Sequence, residues 1–198
     1  VIDEGGDCFG ELADNIVNCT RRVKGHLVAQ NIGSSYNTST FLLAPQWRIS
    51  RIAINTKHHR EGVGTQLIDY VGQQAKQRHI EFLTTSFGCN TDILSFWYNS
   101  DYLLVKLSVK PEVSSGEHSA ICIKPLTKQA SEISYYIHKE FHLELNYQMD
   151  KNFQYMSEDI LMKTLMFRPK VNVDQFSNME ILKQFAIGKR AYTSCKRI

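Results

Sequence analysis

Seven consecutive residues, His59-Arg60-Glu61-Gly62-Val63-Gly64-Thr65, have the composition of an anion-binding turn. They follow an apolar, strand-like segment from Trp47 to Asn55, with Ile49, Ile52 and Ile54, and precede a helix from Thr65 towards His79. A strand–glycine turn–helix unit leaves the first N–H groups of the helix without partners, all pointing one way. With the positive end of the helix dipole they form a cradle for a pyrophosphate. Glycine lets the backbone approach the oxygens, and Lys57, His58 and Arg60 add positive charge. The same string also fits an ordinary tight turn. No Gly-Lys-Ser/Thr follows, which excludes a P-loop. The third glycine and the acidic residue of a dinucleotide fingerprint are missing too.

Other chemistry-bearing residues are sparse. Cys8, Cys19, Cys89, Cys122 and Cys195 are scattered, odd in number and never spaced Cys-x-x-Cys, against a disulfide framework or a zinc site. His138 and His142 have the i,i+4 spacing of two metal ligands on one helix face. Lys139-Glu140 between them breaks the zincin order, and no third ligand stands out, so no metal is expected.

The elements around the turn alternate. Residues 10–22 carry Leu12, Ile16 and Val17 at helical spacing, and His26 to Ile32 reads as a strand ended by Gly33. Glu81 to Phe87, closed by Gly88, reads as a strand, Asp92 to Ser100 as a short helix, and Tyr102–Val109 and His118–Ile123 as two more strands. Such an order predicts an α/β or α+β layered domain. From Thr127 the pattern becomes helical. Ile133, Tyr136, Ile137 and Phe141 share a face, Ser157 caps a helix stopped by Arg168-Pro169, and Ser177 to Glu180 has a capping box before a helix ended by Gly188. Lys163, Arg168, Lys170, Lys183, Lys189, Arg190, Lys196 and Arg197 make this tail basic, as a solvated surface or as a grip on RNA phosphates. The expected division is therefore residues 1–126 and 127–198.

Composition narrows the class. Of 198 residues 42% are hydrophobic, enough for a packed core, and the net charge of +3 is a mild lean. No apolar run approaches the roughly 18 residues of a membrane helix. We expect a soluble, cytoplasmic monomer with no membrane partner. The chain opens at Val1 without Met, in what reads as a strand entering a turn, and is expected to be a piece of a longer protein.

The turn and its strand resemble the acetyl-coenzyme A signature of the GNAT superfamily, Gln/Arg-x-x-Gly-x-Gly/Ala, with His59 where the family has Gln or Arg. Phe96-Trp97-Tyr98 loosely resembles that family's aromatic helix. Further segments resemble the C-terminal portion of the bacterial tRNA(Met) cytidine acetyltransferases. They are Val1 to Gly6, Gly25 to Gln30, Arg51 to Ile54, Arg60 to Gly64, Ser86 to Gly88, Phe96-Trp97 and Glu112 to Gly116, in the right order.

The resemblance implies a GNAT-type mixed central sheet flanked by helices, followed by a helical C-terminal tail. It also implies acetyl transfer from acetyl-CoA to the N4 amine of the wobble cytidine in elongator tRNA(Met). ATP would be used only by a helicase-like N-terminal module that this chain lacks. Ile52, Ala53 and Ile54 would line the acetyl and pantetheine, and His59, Arg60, Glu61, Gly62, Val63, Gly64 and Thr65 would hold the pyrophosphate. Asp92 and Asn99 would stand at the family's acidic residue and arginine, Asn99 without the cation. Asp92 is the candidate base, and Tyr98, one residue from the family's tyrosine, the candidate proton donor to the leaving thiolate. Transfer to a protein or small-molecule amine, and a non-catalytic RNA-binding module, are the alternatives.

Overall fold

The computed structural model describes residues 1–6, 10–153, 156–167 and 185–188, with residues 150–152 by backbone alone. Its centre is a five-stranded mixed sheet in the order β1-β2-β3-β5-β4. The strands are β1 Ile2–Gly5, β2 Pro45–Ile49, β3 Phe82–Cys89, β4 Leu103–Pro111 and β5 His118–Pro125. β2 and β3 are parallel; the other pairs are antiparallel. The helices are α1 Leu12–Val17, α2 Leu27–Ser35, α3 Ser39–Leu43, α4 Val63–Gln77, α5 Thr91–Asn99, α6 Lys128–Asn152 and α7 Glu158–Met166. This is the mixed α/β architecture, helices flanking a central sheet, that the alternating pattern implies.

α4 connects the two parallel strands, as a crossover helix must. One apolar cluster joins Val28 and Ile32 of α2 to Phe82 and Leu83 of β3 and to Ile137, Phe141 and Leu145 of α6. The helical second part of the chain thus buries its apolar stripe against the same sheet. No helix among the described residues is long and apolar enough to cross a membrane.

Two expected elements are corrected. His26–Ile32 is not a strand: Leu27–Ser35 is helix α2. Its buried residues, Val28, Ala29, Ile32 and Gly33, follow helical spacing, and a tertiary contact supplies the cap. The Glu4 carboxylate on β1 accepts from the N–H groups of Val28 and Ala29 at 2.9 and 3.1 Å, while its other oxygen takes the Arg48 guanidinium. A buried carboxylate at a helix N-terminus meets both the free N–H groups and the dipole.

The second correction concerns the strand expected over 47–55. Its ladder ends at Ile49, and residues 51–55 have no regular structure. Ile52 and Ile54 still alternate, half-buried, with exposed Arg51, Ala53 and Asn55. The period of two is present without the hydrogen-bonded partner. Smaller shifts occur elsewhere: α4 starts at Val63 rather than Thr65, and β3 runs through Gly88 to Cys89.

In the second part, Ser157 precedes α7 without a side-chain cap bond, and Gly188 takes φ +72° with its N–H on the Phe185 carbonyl. Ser177–Glu180, Pro169 and the basic residues Arg168, Lys170, Lys183, Lys189, Arg190, Lys196 and Arg197 lie outside the described residues, as do Cys8 and Cys195.

Candidate functional site

The site forms where β2 and β3 part. Their ladder runs from Gln46↔Phe82 to Ile49↔Thr85 and stops. β3 continues to Cys89, paired among the described residues only on its other side with β5, from Ser86↔Ile121 to Cys89↔His118. The chain after Ile49 therefore leaves the sheet beside an unpaired stretch of β3, which leaves a slot with backbone groups on its walls.

From that slot the chain enters a 3-10 turn, Thr56–His58, capped by the Asn55 side chain, which accepts from Lys57 N–H. The His59 ring, through Nε2, bonds the Ile54 carbonyl at 2.9 Å and ties the turn to the slot. His58 Nδ1 and Glu61 lie 2.9 Å apart, both exposed. Arg60 and Gly62 both have positive φ, +67° and +79°, and Gly62 is the N-cap of α4. At Gly62 no heavy atom lies within 4 Å of where a Cβ would be. Among the described residues nothing accepts from the N–H groups of Val63, Gly64 and Thr65, while Gln66 already bonds to Gly62. Helix start, free donors and absent side chains suit a diphosphate. The residues present fit the coenzyme's pyrophosphate.

α5 is the opposite wall. Its N-cap Asn90 accepts from Ile93 N–H at 2.9 Å. Asp92, Phe96 and Asn99 fall on one face of α5 by helical spacing. Phe96 lies under Gly64, and Asp92 meets Arg60 at 3.5 Å, both side chains more than four-fifths exposed. That pair contributes about 0–1 kcal/mol; it links loop and helix without rigidifying them. Trp97 is buried between Phe87, Phe96 and Tyr102. Tyr98 points elsewhere and stacks on Phe167, just past α7. Thus the structure brings together Ile52–Ile54, the turn and the Asp92 face, and sets Tyr98 apart against α7.

Sequence reasoning missed Glu117. This half-buried carboxylate lies over Gly88, where a Cβ would stand 1.9 Å from Glu117 Oε2. With burial, it pushes the Cys89 thiol up to about 11. Only the β3–β5 pairing brings residue 117 to residue 88, so no local pattern could announce it. The two helical histidines pack on each other. Their rings are edge-to-face at 4.6 Å, and His138 faces the Leu104 and Phe167 carbonyls at 2.7 and 3.2 Å. Among the described residues no group of three His, Cys, Asp or Glu could hold a metal.

A family model described as GNAT acetyltransferase 2 matches residues 67–127. The tRNA(Met) cytidine acetyltransferase TmcA of Haemophilus ducreyi is 31% identical over 98% of this chain and 33% of that protein. Its counterpart in Haemophilus influenzae is 28% identical over the whole chain and 34% of that protein. The chain thus spans about a third of the length of these curated relatives. Among solved structures, nourseothricin acetyltransferase is 19% identical with a TM-score of 0.38, covering 41% of this chain and 51% of that one. Ard1 from Thermoplasma volcanium is 12% identical with a TM-score of 0.38, covering 65% and 100%. By sequence, residues 67–127 match the GNAT acetyltransferase family, and nearly the whole chain is similar to the tRNA(Met) cytidine acetyltransferases TmcA.

Proposed function

We propose that this chain is the acetyltransferase part of a larger, ATP-dependent enzyme that moves acetyl from acetyl-CoA to the N4 amine of the wobble cytidine in elongator tRNA(Met). The carrying observation is the set of free N–H donors at the start of α4, opening beside the slot where β2 leaves β3. Similarity to TmcA over nearly the whole chain supports the acceptor.

Bound acetyl-CoA supplies an activated thioester carbonyl. The N–H groups of Val63, Gly64 and Thr65 hold its pyrophosphate, with His59, Arg60 and Glu61 fixing the turn. Ile52, Ala53 and Ile54 line the acyl arm, and one of their N–H groups stabilises the charge that builds on the carbonyl oxygen. Cytidine N4 is conjugated with its ring and weakly nucleophilic, so alignment in the slot matters more than prior deprotonation. Asp92, directly or through water, takes the surplus proton as the N–C bond forms and the thioester C–S bond breaks with release of the coenzyme thiolate, and Asn99 adds a polar contact to the coenzyme. The stacking of Tyr98 on Phe167 makes it a packing residue first; it donates a proton to the thiolate only if that stack opens.

Calorimetric titration with acetyl-CoA tests the first half of this reading, and absence of binding would end it. Mass-spectrometric detection of N4-acetylcytidine tests the second. The chain alone is expected to turn over poorly beside a full-length relative, since a misplacement of about 1 Å can cost roughly a hundredfold. Equal, ATP-independent turnover by the chain would remove the larger enzyme from the proposal.

A further inference from the structure

A second concave region lies away from the coenzyme turn. It is a cavity of about 380 Å³ between the end of α1, the segment joining α1 to α2, α2 and strand β4. Among the described residues its lining includes Arg21, Arg22 and Lys106 with Asn31 and Ser35, and no carboxylate. Among the described residues none of these three cations makes an ion pair.

Lys106 is aimed there by a defect in the sheet. On β4, Leu104 pairs with Cys122 and Lys106 with Ile121, so Val105 is an extra residue in the ladder. A bulge of this kind re-aims the side chain that follows it. Side chains pin it: the Tyr36 hydroxyl donates to the Val105 carbonyl, and His138 engages the Leu104 carbonyl. The Lys106 ammonium then donates to Asn31 Oδ1 and Ser35 Oγ, two neutral acceptors. Burial lowers its pKa, and Glu144 offsets this only from beyond ion-pair distance. Burying a cation among neutral partners costs stability that an anion would offset.

The cavity is in register with the slot. Lys106 pairs with Ile121, and Ile121 with Ser86, the first β3 residue past the last β2 pair. Two strand spacings, about 10 Å, separate Lys106 from β3 at that level.

We propose that this cavity binds a backbone phosphate of the RNA strand whose base enters the slot, with Arg22 and Lys106 as its principal contacts and Arg21 at its rim. The assignment to RNA rests on the proposed acceptor; the other source of the same chemistry is a phosphate of the coenzyme.

The test uses this chain, a short labelled single-stranded RNA containing cytidine, and the variants Arg22→Gln and Lys106→Met. Fluorescence polarisation over a series of KCl concentrations gives the salt slope, and calorimetry gives acetyl-CoA affinity for each protein. Each variant is expected to lower the slope by about 0.7, the value for one single-strand phosphate contact, with acetyl-CoA affinity unchanged. A second readout does not depend on Lys106→Met folding. Cys19 is exposed and lines the cavity, so its alkylation, followed on the Cys19 peptide, should slow with RNA and not with inorganic phosphate or acetyl-CoA. Unchanged slopes, no RNA binding by the wild type, or protection by inorganic phosphate alone would overturn the proposal. Loss of acetyl-CoA affinity in the variants would overturn it too, assigning the phosphate to the coenzyme. Lowered slopes in a chain that does not bind acetyl-CoA would keep the cavity assignment and sink the proposed function instead.

Discussion

A side chain at Gly64 would press on the ring of Phe96: a Cβ there would stand 3.2 Å from Phe96 Cε2, a tight contact, and 3.8 Å from Ile54 Cγ1. The turn is thereby seated against both walls of its own cleft. The two glycines consequently do different things. Gly62 takes a φ of +79° in open space, whereas Gly64 permits close packing of α4 on α5.

Substitutions should separate these roles. Gly62→Ala should cost about 1–2 kcal/mol of backbone strain and weaken acetyl-CoA binding at least tenfold while the protein stays folded. Gly64→Val should also cost about 1–3 kcal/mol from overpacking. Adding Phe96→Leu should return part of that stability but none of the binding. Thermal melts and calorimetry on the three proteins check this; wild-type affinity in Gly62→Ala would make the turn an ordinary one.

The second prediction concerns Glu4, which joins β1, α2 and Arg48. Its side chain is fully buried and Arg48 is 19% exposed. Removing one partner of such a pair costs about 3–5 kcal/mol. Glu4→Ala should therefore destabilise the fold by about that amount, with α2 no longer capped. Urea unfolding measures it, and a loss no larger than that of an exposed pair would contradict the role.

Burial holds the His138 imidazole below its ordinary pKa, against the opposing pull of the Leu104 and Phe167 carbonyls. A histidine depressed in the fold takes up protons first in the unfolded chain, so stability rises with pH there. Stability should be intact above about 6.5, the ordinary histidine value, and be lost as pH falls through the lower folded pKa. His138→Gln, which keeps a donor for Leu104, should flatten that dependence. Equal slopes of unfolding free energy against pH in both proteins would remove His138 as the cause.

The thiols should react in a fixed order. Burial first and Glu117 second push the Cys89 thiol up to about 11, and burial raises Cys122 well above its usual range. The thiolate is the nucleophile, so near neutral pH native Cys89 and Cys122 should resist alkylation while exposed Cys19 reacts. Peptide-level labelling reads this directly. Glu117→Gln should lower the Cys89 pKa slightly without exposing it, and labelling of Cys89 as fast as Cys19 would refute the ordering.

Local pattern alone determined much of this protein. The turn at 59–65, the helix after it, β3, α5, β4, β5 and the long helix α6 were legible because hydrophobic period and punctuating residues act over a few residues, the range over which backbone torsions are set. Leu27–Ile32 was not legible: Val28, Ala29 and Ile32 fit a helix face, yet the run also reads as β-branched and apolar. Glu4, 24 residues away from Val28, decides it by capping the helix. The departure of the chain from β3 after Ile49 had no local signal either, because Ile52 and Ile54 keep a strand's alternation without a strand's partner. Phe96 under Gly64, Glu117 over Gly88, and Lys106 turned by the Val105 bulge were decided only by tertiary structure. Each depends on which strands pair and in what register, and pairing is a contact between distant residues that no window of sequence contains.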